Sequence, residues 1–266
     1  MHTLARKVGL IEEIDRRLHL LKTHLPYHES DHVLNIAYNL LAGGQCLEDL
    51  EPLRNDEVYL DALGKQRIPD PTTAGDFCRR FRAENIDALF EAIHCARRRV
   101  WAQQPEPFFE KTVIDVDGTF VPTTGECKQG MNIAYNGTWG FHPLIVSLSN
   151  TQGPLLVENR SGNRPSHENA AVRIDQAARW CREAGFRRVR VRGDTDFTQT
   201  KHLDRWNEAG IEFVFGVDAM PNLVAIAMQL DSRVWKRLER EPKYERQRPR
   251  ARASSSLESG DEVHEG

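Results

Sequence analysis

Val113-Ile-Asp-Val-Asp-Gly-Thr119 and Arg190-Val-Arg-Gly-Asp194 are the stretches that decide the fold. Each is a short β-branched run ending in carboxylates where a strand should leave a sheet, the place where α/β folds gather their chemistry. Strand side chains repeat every two residues, so Val113, Asp115 and Asp117 share one face, and Ile114 and Val116 the other. In the second run Arg188, Arg190, Arg192 and Asp194 face away from Val189 and Val191. Carboxylates converging from separate strands repel unless a cation joins them, and hard oxygen ligands suit Mg²⁺ or Mn²⁺. Two readings stand at this level. The acids form a divalent-metal phosphoryl-transfer site, or they cap strand ends and pair with local arginines.

Outward from these runs, the strand period begins at Lys111. Val113–Asp117, Met131–Tyr135, Pro143–Leu148 and Leu155–Asn159 read as strands joined by glycine-containing turns. A helix follows at 167–184, then strand 188–193, a helix at 199–209, strand 211–217 and an apolar helix near 221–230. Meandering strands followed by alternating helix and strand predict an α/β fold with an RNase H-like mixed sheet, in which acids on the first and fourth strands meet. Before it, the first hundred residues read as helical. Leu10, Ile11, Ile14, Leu18, Leu21 and Leu25 recur at helical spacing until Pro26, a second helix runs from Ser30 or Asp31 to Gly43-Gly44, and Pro69–Thr73 caps a third. The expected organisation is an α-helical N-terminal domain over 1–108 with a DNA-binding role, a core over 109–235, and a charged, disordered tail over 236–266. His24, His28 and His32 have zinc-like spacing on paper, but Pro26 and the cap at residues 30–31 break the helix that would align them.

The chain of 266 residues has a net charge of −3, which excludes a globally basic nucleic-acid binder but leaves local stripes at Arg79–Arg82, Arg97–Arg99, Arg187–Arg192 and 236–252. Such stripes in the helical arm are expected to touch phosphates rather than base edges. The five cysteines include no C-x-x-C pair and read as buried thiols. No apolar run approaches the roughly 20 residues needed to span a bilayer, so no membrane partner is expected and the cytoplasm is the default location. Neither phosphate-loop nor dinucleotide glycine motifs occur.

Taken in order, Asp115-Val-Asp-Gly-Thr119, Gly137-Thr-Trp-Gly-Phe-His-Pro143, Arg160-Ser-Gly-Asn-Arg164 and Arg192-Gly-Asp-Thr-Asp-Phe197 resemble the DDE-type transposases of bacterial insertion sequences. The helical segment Pro71-Thr-Thr-Ala-Gly-Asp-Phe77 is similar to the one preceding their catalytic core. The resemblance implies an RNase H-like core in which three carboxylates hold two Mg²⁺ (or Mn²⁺) ions for DNA strand cleavage and transfer. It implies double-stranded DNA as partner (transposon ends and target), a homodimer as the assembly to consider, and a bacterial, nucleoid-associated location. Carried over by residue, the first acid is Asp117, with Asp115 as a same-face alternative, and the second is Asp194. Arg192 is either a phosphate contact or the ion-pair partner of Asp194 or Asp117. Arg164 is a phosphate contact or a surface turn residue, and His142 reads as a packed turn histidine rather than a general base. The family's third acid, a Glu on a later helix, has only Glu239, Glu241 and Glu245 as counterparts. The expectation is therefore a truncated transposase, inactive for want of that acid. The alternative is a catalytically inactive DNA-binding fragment that regulates or competes with full-length transposase.

Overall fold

The structure, a computed structural model, describes residues 1–125, 128–237 and 239. They fall into two compact units, Met1–Asp218 and a second beginning at Ala219. Most of the 236–266 tail, together with Cys127, Glu241 and Glu245, lies outside the described residues.

The first unit opens with helices α1 (His2–Lys7), α2 (Leu10–Arg17), α3 (Glu29–Leu41), α4 (Leu50–Arg54), α5 (Glu57–Leu63), α6 (Pro71–Cys78) and α7 (Ala83–Trp101). The leucine period from residue 10 predicts one helix to Pro26, but α2 stops at Arg17 and Leu18 is extended. What ends it is α3: the buried Glu29 carboxylate accepts the backbone N–H groups of Leu20 and Leu21, both at 3.0 Å. Burial pushes the Glu29 carboxyl up, and those backbone donors more than offset it, so it stays below the usual carboxylate range. Leu18 remains fully buried beside Ile14 and Ala92, while Leu25 is exposed. α6 begins as its sequence indicates, with Pro71 in the first turn and Asp70 accepting the Thr73 N–H at 2.9 Å.

From Glu110 the chain forms β1 (Lys111–Gly118), β2 (Val121–Pro122), β3 (Asn132–Ile133), β4 (Trp139–Phe141), β5 (Leu144–Leu148) and β6 (Gly153–Glu158). Helix α8 (Ala170–Glu183), β7 (Arg188–Gly193), α9 (Leu203–Glu208) and β8 (Ile211–Phe215) complete the unit. The main sheet has the order β6-β5-β1-β7-β8. β5 runs antiparallel to β1 and β6 to β5, whereas β7 is parallel to β1 and β8 to β7. That is the RNase H-like arrangement, a mixed sheet preceded by a helical region, as expected. In a small second sheet, β2-β4-β3, β3 falls within the expected strand Met131–Tyr135, whereas β2 and β4 are absent from the sequence reading because they hold two and three residues, too few to show a period.

Thr112, Ile114 and Val116 are buried on one face of β1, facing the core that contains Ile174, Ala177, Ala178 and Cys181 of α8. Val113, Asp115 and Asp117 take the other face, as alternation dictates. α7 is shared between the helical region and the sheet. Its His94 stacks on Trp180 of α8 at 4.5 Å, and Trp180 Nε1 donates to Glu91 at 3.0 Å. Of the four cysteines described, Cys181 is buried and Cys95 half-buried, but Cys46 and Cys78 are exposed, which corrects the expectation of buried thiols. In the second unit, α10 (Pro221–Met228) is the apolar helix expected there.

Candidate active site

β1 and β7 lie side by side with Ile114 opposite Val191 and Asp115 opposite Arg192. Asp115 receives a two-pronged bond from Arg192, Nε to Oδ1 at 2.6 Å and Nη2 to Oδ2 at 2.9 Å. Both of its oxygens are thus engaged, and the guanidinium fork of Arg192 is turned to the protein. The pairing holds the Arg192 guanidinium above its ordinary pKa. Neither Asp194 nor Asp117, the ion-pair partners considered from sequence, takes that place.

The paired register ends at Asp115 opposite Arg192; Asp117 and Asp194 each lie two residues beyond it, near the end of β1 and just after β7. Asp194 keeps an extended backbone (φ −80°, ψ −165°), so its side chain stays on the Arg192 face. Adjacent strands stand about 4.8 Å apart, a spacing at which carboxylates on neighbouring strand ends can share one cation. Asp117 is exposed and forms no hydrogen bond or ion pair among the described residues. Asp194 uses one oxygen to accept the Asp196 N–H at 3.0 Å, leaving the other free. The chemistry of this pair, hard oxygen donors at the C-terminal ends of two parallel strands, fits Mg²⁺ or Mn²⁺, whereas the engaged carboxylate of Asp115 does not. Among the described residues no three His, Cys, Asp or Glu side chains form a metal-holding group, and that includes His24, His28 and His32. His32 is buried against Phe77, and His24 pairs with Glu29 at 3.2 Å.

Beside the acids, loop 160–169 and the end of β4 form a cleft of about 330 Å³ lined by Phe120, His142, Arg164, Ser166 and Asp196 among others. Arg164 is exposed at its rim and bonds Glu168 at 3.0 Å. Sequence reasoning missed Arg160, quoted only as part of a motif. It is buried, and its guanidinium donates to the carbonyls of His142, Pro165, Ser166 and Glu168 at 2.7–3.3 Å. Nothing in one sequence distinguishes such an arginine from a solvated one, since its partners are all backbone. In the helical arm Arg97 and Arg99 bond inward, to Pro154 O at 2.9 Å and Glu13 at 2.8 Å, whereas Arg82 and Arg98 are exposed without a side-chain partner among the described residues.

A family model described as transposase DDE domain, group 1, matches residues 1–257. The chain belongs to this transposase family. No curated protein matches it. Among solved structures the transposase resembles a piggyBac transposase synaptic complex with hairpin DNA, at 12% identity and a TM-score of 0.41, over 84% of this chain and 53% of that one. It therefore spans about half the length of that protein.

Proposed function

We propose that the chain is a metal-dependent DNA phosphoryl-transfer enzyme, cleaving and joining double-stranded DNA in insertion-sequence transposition. Asp117 and Asp194 would hold Mg²⁺ or Mn²⁺, which when bound activates an attacking hydroxyl and stabilises the leaving oxygen. What supports this is the parallel pairing of β1 with β7 in an RNase H-like sheet, beyond whose last pair, Asp115 and Arg192, come the unpartnered carboxylate of Asp117 and the half-free one of Asp194. Asp115 and Arg192 brace the strands one step behind the acids. Arg164, exposed at the cleft rim, is the phosphate contact. Double-stranded DNA at transposon ends and target is the partner, met also by the exposed Arg79, Arg80, Arg82 and Arg98 of the arm. A homodimer would pair two DNA ends.

The second reading is a DNA-binding protein without catalysis, competing with an intact transposase. It is supported by the two-acid, rather than three-acid, site among the described residues. One assay separates the two: incubation of the full chain with duplexes carrying candidate transposon ends, with Mg²⁺ or Mn²⁺. Cleavage lost in Asp117→Asn and Asp194→Asn supports the enzyme. Binding that falls steeply with salt, with no cleavage, supports the second reading. Absence of DNA binding at low salt refutes both.

A further inference from the structure

β1 and β5 run on past the end of the main sheet as a two-stranded ribbon. Ile114 stands opposite Leu148 and Gly118 opposite Leu144. Beyond them Thr119 donates its N–H to the Pro143 carbonyl at 3.0 Å, Val121 stands opposite Phe141, Pro122 stands opposite Gly140, and Thr123 donates to the Trp139 carbonyl at 3.0 Å. Each step forward on one strand is matched by one step back on the other, so no bulge interrupts the alternation and the ribbon of β2 and β4 inherits the two faces of β1. Thr119, Val121 and Thr123, with Phe141 and Trp139 across from them, continue the face of Asp115 and Asp117. Ile133 of β3, opposite Trp139, joins that face.

The two faces of the ribbon are finished differently. The one continuing the core side holds Gly118, Phe120, Gly140 and His142 and is packed: a Cβ on Gly140 would lie 2.8 Å from the Phe120 ring, and His142 Nδ1 donates to the Arg164 carbonyl at 2.7 Å, which makes it the packed turn histidine expected from sequence. On the face continuing the acid side, Trp139 is 51% exposed, Val121 46% and Ile133 44%. An open groove of about 970 Å³ borders the indole, lined also by Thr123, Met131 and Thr138. The single acid of residues 119–143, Glu126, lies outside the described residues, and among the described ones Lys128 is the one fixed charge.

An indole left open on a strand face is a flat apolar surface suited to another planar ring. Within a duplex the faces of a base are covered by its neighbours, so the base free to stack is an unpaired one. Around Trp139 the one fixed charge described is a cation, so the surroundings favour the phosphates that accompany such a base. Trp139 stands opposite Thr123, roughly 20 Å along the ribbon from Asp117 at ~3.4 Å per residue, or about six nucleotide steps of a stacked strand. A DNA strand lying on the acids would follow the same face to reach it. We propose that Trp139 is a stacking platform for an unpaired nucleobase of the DNA strand engaged at Asp117 and Asp194, with Val121 and Ile133 flanking the ring. The proposal rests on the phosphoryl-transfer reading above and adds the form of DNA taken, an end that is single-stranded or opened.

The test uses the full chain and duplexes bearing an unpaired extension of six nucleotides, 3′ in one and 5′ in the other. Each has a twin whose extension is abasic, keeping every phosphate and no base. Anisotropy should show roughly tenfold tighter binding of the extended duplex than of its twin for at least one polarity. Trp139→Ala should erase that difference while binding the abasic twins as wild type does, which also shows the variant to be folded. Trp139→Phe, which keeps a ring, should retain part of the preference. 2-Aminopurine placed in the extension should be quenched by wild type and left bright by the Ala variant. Equal affinity of wild type for extended and abasic duplexes, or a preference that survives in Trp139→Ala, overturns the proposal and leaves the DNA reading intact. A dimer in sedimentation that Trp139→Ala disperses, without any base preference, overturns it in favour of a second copy on this face. Failure to bind any of the duplexes at low salt overturns the DNA reading as well.

Discussion

At residue scale the informative contrasts are between side chains of one type in different surroundings. Asp115 and Asp117 are two positions apart on one face, yet one is tied to Arg192 and the other is free. Alternation made their shared face legible in the sequence; which acid was engaged was not, because that depends on strand register. His94 shows the same limit. Buried between α7 and α8, with neither ring nitrogen partnered, it is held neutral by burial and by the nearby Arg97, Arg98 and Arg179, its pKa lowered from 6.5 to about 3. Because the unfolded chain binds the proton at higher pH than the folded one, stability is full above 6.5 and is lost as pH falls from 6.5 towards 3, by about 1.4 kcal/mol per pH unit. Urea midpoints measured from pH 7 to pH 4 should decline accordingly, and His94→Phe should flatten that decline. An unchanged slope in the Phe variant would assign the acid sensitivity elsewhere.

At element scale the long periodic segments were readable and the short or tied-down ones were not. β1, β7 and α8 fall near their expected spans because a buried face repeats over several turns or pleats. The helix expected through Leu25 fails because Glu29 draws the backbone of Leu20 and Leu21 out of it, a contact no local pattern encodes. Loop 160–169 is held by one buried guanidinium donating to four carbonyls. Arg160→Lys offers a point charge in place of the fork and should cost about 2–3 kcal/mol. Amide exchange at residues 161–169 should accelerate well before global unfolding. Uniform protection across that loop in the Lys variant would show that the loop holds itself.

At the scale of the whole molecule, the packing of α7 on α8 around Trp180 is among the contacts that join the helical region of the first unit to its sheet. Trp180 is fully buried, stacks on His94 and bonds Glu91, so Trp180→Ala should lower stability by about 3–5 kcal/mol in a single transition. Two separated transitions would show the helices and the sheet to be independent. The fold class and the two strand ends that carry acids were legible from sequence, since hydrophobic period and strand order need no partner information. The β1–β7 register, the Arg160 clamp and the orientation of His142 are tertiary facts. Asp117 and Asp194 are expected to share a divalent cation while Asp115 does not, which Mn²⁺ binding to the full chain, followed by loss of the free-ion electron paramagnetic resonance signal, reads out. The expected result is binding by wild type that weakens at least tenfold in both Asp117→Asn and Asp194→Asn but far less in Asp115→Asn. Equal Mn²⁺ affinity in wild type and in the Asp117 and Asp194 variants would contradict it.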